Sequence, residues 1–408
     1  MKIIFLNRFF FPDISATSQM LSDLAFFLAG QGHDVTVITS RQLYDEAGAA
    51  LPAKETVNGV AVRRVAASTF GRGNLVGRAL DYLTFYLSAA FALWRCAGRE
   101  TIVVAKTDPP LISVPATLVC KLRGARLVNW LQDVFPEVAQ ALGVRATRGL
   151  SGRLLRGLRD RSLSAASATI VLGSRMERVI LDRGIDPARV RLIPNWADGK
   201  AIRPLARNAS RFTREWGLHA NFVVCYSGNL GRAHEFRTAL EAAWLVQKHE
   251  ESSPRTVFLF IGGGAQRRFV ADTADGLGLR NVRFADYQPR ELLGESLAVG
   301  DVHLVSLRSE LEGLIVPSKV YGILAAGRPV VFVGAEDGEV GRLVRDQSVG
   351  YAVEPGQGSL LAETLMKLRN DQTLRTQMGE KARQVFEEHF DFPISARKFE
   401  EALRAASR

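Results

Sequence analysis

Three short runs in the second half of this 408-residue chain combine glycine, proline and charge in a way that suits a bound anion. Pro317-Ser318-Lys319 opens a helical run after a strand ending near Leu307. Proline fits a first helical turn because the N–H it lacks has no partner there. The free N–H groups and the helix dipole attract anions, and Lys319 adds a full charge. The same residues also read as an ordinary capped helix that stops at Gly327. Gly228-Asn229-Leu230-Gly231 follows a β-rich run, and its glycines let backbone approach a diphosphate closely. Gly262-Gly263-Gly264 closes a second such run. No further spaced glycine follows Gln266 and Arg267, so it is not a dinucleotide fingerprint.

The first half offers a carboxylate and an apolar, basic segment. Asp133 follows the run Arg126–Leu131, at what would be the carboxyl end of a strand. There it would accept the proton of an acceptor hydroxyl or orient a sugar; the plainer reading is a helix cap. Glu137 beyond Pro136 reads first as structural. Ser15, Thr17 and Ser18 open the first helix, either as N-cap residues or as contacts to a sugar or phosphate. Residues 69–95 are richly apolar, with Tyr82, Phe85 and Trp94 among them and Arg72, Arg78 and Arg95 at the flanks. Such a helix either belongs to the core or lies at a membrane interface, aromatics down and arginines near lipid phosphates. Arg145, Arg148, Arg153, Arg156, Arg159 and Arg161 form a second basic strip interleaved with leucines. No His, Cys, Asp or Glu cluster has metal-ligand spacing, so neither metal nor cofactor is expected.

The elements that must position these residues alternate strand and helix twice. Lys2–Leu6, Val35–Thr39, Val60–Val65, Thr101–Ala105, Arg126–Leu131, Thr169–Leu172 and Val190–Ile193 read as strands of a first series. Phe222–Ser227, Val257–Gly262, Asn281–Phe284, Asp301–Ser306 and Pro329–Val333 read as a second. Strands joined by helices require a parallel sheet. The prediction is α/β: two facing Rossmann-like, doubly wound domains, 1–200 and 201–385, with ligands in the cleft at their strand ends. A helix in 386–408 is expected to pack back on the first domain. Residues 1–200 hold 26 Lys+Arg against 16 Asp+Glu, and the rest hold 27 against 26. The basic first half suggests an anionic partner. The three cysteines have neither metal nor redox spacing and suit a reducing cytoplasm. Neither a secretory signal nor a membrane-spanning stretch is evident.

The motifs in order resemble the family 4 glycosyltransferases, which have the GT-B fold. They are Gly30-Gln31-Gly32-His33-Asp34-Val35, Ile193-Pro194-Asn195-Trp196, Tyr226-Ser227-Gly228-Asn229-Leu230-Gly231, Phe260-Ile261-Gly262-Gly263-Gly264 and Val316-Pro317-Ser318-Lys319 through Pro329-Val330. With Gln132-Asp133-Val134-Phe135-Pro136-Glu137 they are similar to the branch that builds bacterial capsule, O-antigen and colanic-acid polysaccharides. The resemblance implies a retaining transferase that uses a nucleotide-sugar donor, UDP- before GDP-sugar, and needs no metal. It assigns Pro317, Ser318 and Lys319 to the diphosphate, Gly228 and Asn229 to a second phosphate contact, and Gly263 and Tyr287 to the region of the base. Relatives place an arginine and a lysine where this chain has Asn229 and His234, so Arg232 is expected to supply the missing charge. Many relatives grip the ribose with a glutamate at the position of Gly322; here Glu310 or Glu312 is the loop carboxylate expected to substitute. Ser15 and Thr17 are expected at the transferred sugar, and Asp133, Arg232 and Lys319 as the catalytic set. A polyprenyl-linked or saccharide acceptor, reached by peripheral attachment to the inner face of the cytoplasmic membrane, accounts for the basic first half.

Two other activities fit less well. A sugar-nucleotide epimerase shares such domains but needs carboxylates and histidines around the donor, and of six histidines only His234 is well placed. A nucleic-acid-binding protein fits the charge, yet no stacking motif or recognition helix is evident.

Overall fold

The computed structural model describes residues 1–43, 51–71, 75–250 and 256–407. Its residues divide into two compact units, Met1–Pro194 with Ala396–Arg408, and Asn195–Ser395. The change-over after Pro194 falls a few residues before the expected division at 200/201.

The first unit is built on eight strands: β1 (Lys2–Leu6), β2 (Asp34–Ser40), β3 (Lys54–Val57), β4 (Val60–Val65), β5 (Thr101–Lys106), β6 (Arg126–Trp130), β7 (Ala168–Val171) and β8 (Val190–Leu192). Their order is β3-β4-β2-β1-β5-β6-β7-β8. All pairs are parallel except β3 with β4. That hairpin turns on Asn58-Gly59, both at positive φ, as a two-residue turn between twisted strands demands. The sequence reading missed β3. Helices α1 (Ala16–Gly30), α2 (Leu75–Cys96), α3 (Ser113–Arg123), α4 (Glu137–Ala141), α5 (Gly149–Ala165) and α6 (Ser174–Leu181) make the connections. Every position of β5 is buried, because a parallel sheet is covered on both faces. Phe85, Ala89 and Leu93 of α2 and Ala116, Val119 and Cys120 of α3 share one core with Ile4, Val103 and Leu127 of the sheet.

The second unit carries β9 (Phe222–Ser227), β10 (Thr256–Ile261), β11 (Val282–Ala285), β12 (Val302–Ser306), β13 (Val330–Val333) and β14 (Gly350–Val353). All pairs are parallel, in the order β11-β10-β9-β12-β13-β14. Helices α7 (Arg211–Glu215), α8 (Arg237–His249), α9 (Arg267–Gly276), α10 (Leu293–Ala298), α11 (Lys319–Ala325), α12 (Glu339–Asp346), α13 (Gly358–Asn370) and α14 (Gln372–His389) surround it. Helix α15 (Phe392–Ala406) begins here and belongs to the first unit from Ala396. There Phe399 packs edge-on against Trp130, 4.8 Å between ring centres, and Glu400 meets His33 Nε2 at 2.9 Å.

Strand order reverses direction between β1 and β5 in the first unit and between β9 and β12 in the second. Helices leave opposite faces at such points, so the space beyond the carboxyl ends of those strands is open to a ligand.

Candidate functional site

Lys319 stands at the second of these points. Its Nζ is buried and, among the described residues, has no hydrogen-bond partner. It lies 3.5 Å from the centre of the Tyr226 ring, at the end of β9, so a cation–π contact stands in for a counter-ion. A Cβ on Gly228 would sit 3.6 Å from that Nζ, so the glycine turn and the amine face each other. Burial holds the Lys319 pKa well below its usual value, with only a smaller opposing influence from Cys225. An arriving diphosphate would supply that compensation. His234 flanks the amine. Its Nδ1 lies 2.6 Å from the Ser306 carbonyl, which can only accept, so Nδ1 carries the proton. Burial first, and the Lys319 charge second, lower the His234 pKa to about 3 and keep the ring neutral.

The turns after β9 and β10 are locked together. Gly228 N donates to Ile261 O at 2.9 Å and Leu230 N to Gly263 O at 2.7 Å. Gln266 Nε2 donates to the carbonyls of Gly231 and His234. A Cβ on Gly262 would stand 2.4 Å from the Gly228 carbonyl oxygen, and one on Gly264 would stand 2.2 Å from Asn229 Oδ1. Both glycines also have φ near +130°, so close approach and backbone conformation each require glycine. The Tyr287 ring lies over Gly262 and Gly263 and is 56% exposed, an aromatic face at the rim.

Glu312 is committed to α12: its Oε1 accepts the Glu339 N–H at 2.7 Å, which satisfies one of the helix's unpaired donors. Gly322 faces Leu297 and Ile202, so a side chain there would enter apolar packing. Arg232 is exposed, and Lys319 is the cation held at the turn. Pro317 is buried, while Ser318 is half-buried and precedes α11 without a side-chain cap bond. Asn229 is exposed, and its carbonyl accepts the Tyr226 hydroxyl at 2.9 Å.

The first unit gathers a second polar cluster at its own switch point. Asp133 lies three residues beyond β6, with Oδ1 buried and unpartnered. Burial, then the neighbouring Asp108 charge, raise its pKa to about 7, against a hydrogen bond from Thr107. Asp108 itself is raised to about 6, chiefly by burial. Thr17 Oγ1 lies 3.3 Å from Asp108 Oδ2, so Thr17 serves this carboxyl and does not cap α1. Ser15 Oγ donates to Asp13, and neither hydroxyl bonds the helix N–H groups. Lys106 Nζ donates to Thr17 O at 2.9 Å and lies 3.8 Å from the Trp130 ring centre. Sequence reasoning missed Lys106, Asp108 and Tyr226. Their signal was position alone, at or next to the ends of strands that flank a switch point. Glu137 is bound by Arg159 and Arg183, which makes it structural and removes Arg159 from the basic strip.

Of the acceptor and membrane residues, Phe85 is wholly buried in the core, so it cannot face lipid. Tyr82 turns inward under the Arg8 guanidinium, 5.3 Å from its ring centre. Arg78 is exposed but lies two residues from Val76 and from Leu80, on the other side of the helix from both. Trp94 is exposed. Arg72 lies outside the described residues. No described helix is long and apolar enough to cross a membrane. A cavity of about 560 Å³ at the opposite end of the second sheet is lined by Arg207, Arg328, Arg375 and Arg383. Its arginines are spent on Asp301 and backbone carbonyls, so it braces the segment after Asn195.

Comparison with known proteins agrees with this architecture. Residues 16–196 match the model of the glycosyl transferase 4-like domain, and residues 211–385 that of the glycosyl transferases group 1. The chain is 29% identical to the probable glycosyltransferase WbjE of Pseudomonas aeruginosa, over 82% of each chain. It is 25% identical to the putative colanic acid biosynthesis glycosyl transferase WcaI of Escherichia coli K12, over 87% of this chain and 89% of that one. The Anabaena Alr3699/HepE structure in complex with UDP and glucose shares the fold, with a TM-score of 0.73, 16% identity and coverage of 99% and 100%. With both halves matched in order, the chain belongs to the family 4 glycosyltransferases of GT-B fold.

Proposed function

We propose that this glycosyltransferase moves a sugar from a UDP-sugar, with retention, to a lipid-linked or saccharide acceptor in cell-surface polysaccharide synthesis. The observation that carries the donor assignment is the buried, unpartnered Lys319 ammonium against the Gly228 turn. UDP in the HepE complexes and the colanic-acid role in the name of WcaI support the donor and pathway.

In this reading the bond between the sugar C1 and the phosphate oxygen breaks, and the electron pair leaves with the nucleoside diphosphate. Lys319 meets the charge that develops there, a contribution largest in a site closed to water. The ammonium is preorganised by Tyr226 and paired only when the diphosphate is present. No metal is required, because the charge is met by a side chain. Tyr287 offers its exposed face to the base. The ionised Asp133 takes the proton of the acceptor hydroxyl as that oxygen forms the new bond to C1, and the neighbouring Asp108 charge raises its pKa toward this task. The enzyme works peripherally at the inner face of the cytoplasmic membrane, where a polyprenyl-linked acceptor would be presented.

The test is release of free nucleoside diphosphate from UDP-, GDP- and ADP-sugars on addition of a membrane lipid extract. Acceptor-dependent release from the UDP-sugar alone is expected. Release from none of the three removes the reading, and release from another base corrects the donor.

A further inference from the structure

Helix α2 is two-faced in a way its composition conceals. Asp81, Phe85, Ala89 and Leu93 are buried, while Val76, Leu80, Leu83, Leu87, Phe91 and Trp94 are exposed. The exposed six step by three or four residues, so they form one line along the helix. Leu87 is 65% and Phe91 63% exposed. Helix α3 lies beside α2, and α5 beside α3. Each adds an exposed i, i+4 pair, Leu118 with Leu122 and Leu150 with Leu154. Scattered exposed leucines need no explanation, but ten large apolar side chains on three adjacent helices form a patch.

The charges on these helices are mostly basic. The acidic residues are Asp81, which is buried and holds Ser68 and the Phe70 N–H, and Asp160, which pairs with Arg159. The other exposed charges are basic: Arg95, Lys121, Arg123, Arg153 and Arg161. Arg95 lies over the Phe91 ring at 5.9 Å, and Arg123 over Trp94 at 5.3 Å. Guanidinium groups laid on exposed aromatic rings put charge and apolar surface at one level, as lipid headgroups and acyl chains do. A protein interface offers a hydrogen-bonding group about every 100–200 Å²; the six residues of the α2 line offer only the Trp94 indole N–H.

We propose that the exposed faces of α2, α3 and α5 dock this enzyme on an anionic phospholipid bilayer. The proposal rests on the membrane reading above and gives it a surface and a lipid chemistry. The buried face fixes α2 in the core, so the helix lies in the interface and does not enter the bilayer alone. The arginines supply attraction to anionic headgroups, and the leucines, Phe91 and Trp94 supply depth.

The test is flotation of the full chain with vesicles of phosphatidylglycerol and phosphatidylcholine, and of phosphatidylcholine alone. Each is run at about 0.1 M and about 0.5 M salt, on either side of effective screening. Binding to the anionic vesicles is expected, weakened by salt. Leu83→Glu with Leu87→Glu is expected to cut the bound fraction about tenfold. Arg95→Gln with Arg123→Gln is expected to remove most of the preference for anionic lipid. Both variants alter exposed side chains, so their thermal shift with UDP should equal that of the unaltered chain. Absence of binding to anionic vesicles, or undiminished binding by the Leu83/Leu87 variant, overturns the proposal and leaves a protein partner for the patch. Vesicle binding without any nucleotide-induced shift would support the docking face and count against the donor site.

Discussion

At the scale of single residues, Lys319 is a buried amine that folding does not require and that the proposed reading gives to the departing diphosphate. Its desolvation is only partly offset by the Tyr226 ring. Lys319→Met should therefore leave the melting temperature unchanged or raise it by a few degrees, about 1 kcal/mol. Turnover should fall by about 100-fold or more, since one electrostatic contact to the leaving group is lost. Calorimetry and donor-release assays check the two halves of that prediction. Asp133 behaves in the opposite sense with pH. Its pKa in the fold, about 7, lies above the unfolded carboxylate value near 4. The folded chain thus holds the proton more tightly, and stability falls as pH rises between about 4 and 7. Asp133→Asn should melt above the unaltered chain at pH 8 and level with it below pH 4. Activity that needs the ionised carboxylate should rise through pH 7 in the unaltered enzyme. Lys319 and Asp133 were both visible in the sequence because each follows a β-rich run. Tyr226 and Asp108 were not, since a strand residue and a residue before proline have ordinary explanations until the strand order is known.

At the scale of elements, the proposed donor site is two turns held in contact. Gly262→Ala should cost about 1–3 kcal/mol, through the clash with the Gly228 carbonyl and the positive φ, and should weaken nucleotide binding with it. Denaturant melts and UDP titration would measure both. Glu137→Gln tests a different joint. It leaves the buried Arg159 with Asp160 as its one carboxylate, with an expected loss of about 3 kcal/mol. Turnover per folded molecule should hold. The alternation of strands and helices was legible because buried parallel strands are short apolar runs. The β3–β4 hairpin was not, since Lys54–Val57 is polar at an edge and carries no burial signal. Phe85 and Leu87 show the limit of composition: two residues apart on one apolar helix, one is core and the other surface.

At the scale of the molecule, each unit has its own switch point, and the two differ in chemistry. The second gathers a cation and glycine turns, which suit a phosphate. The first gathers carboxyl groups, which suit hydroxyls. In the proposed reading the second unit takes the donor and the first the acceptor. The charge asymmetry read from the sequence has a physical location in the exposed arginines of α2, α3 and α5. Family membership explains the fold but not Gly322 or Glu312, whose places in this chain are taken by packing and by the start of α12.

The central claim is most directly tested by a crystal structure with bound nucleoside diphosphate. A terminal phosphate oxygen within hydrogen-bonding distance of Lys319 Nζ, beside the Gly228 turn, is the predicted result. A diphosphate bound away from Lys319, with that amine still unpaired, would contradict it.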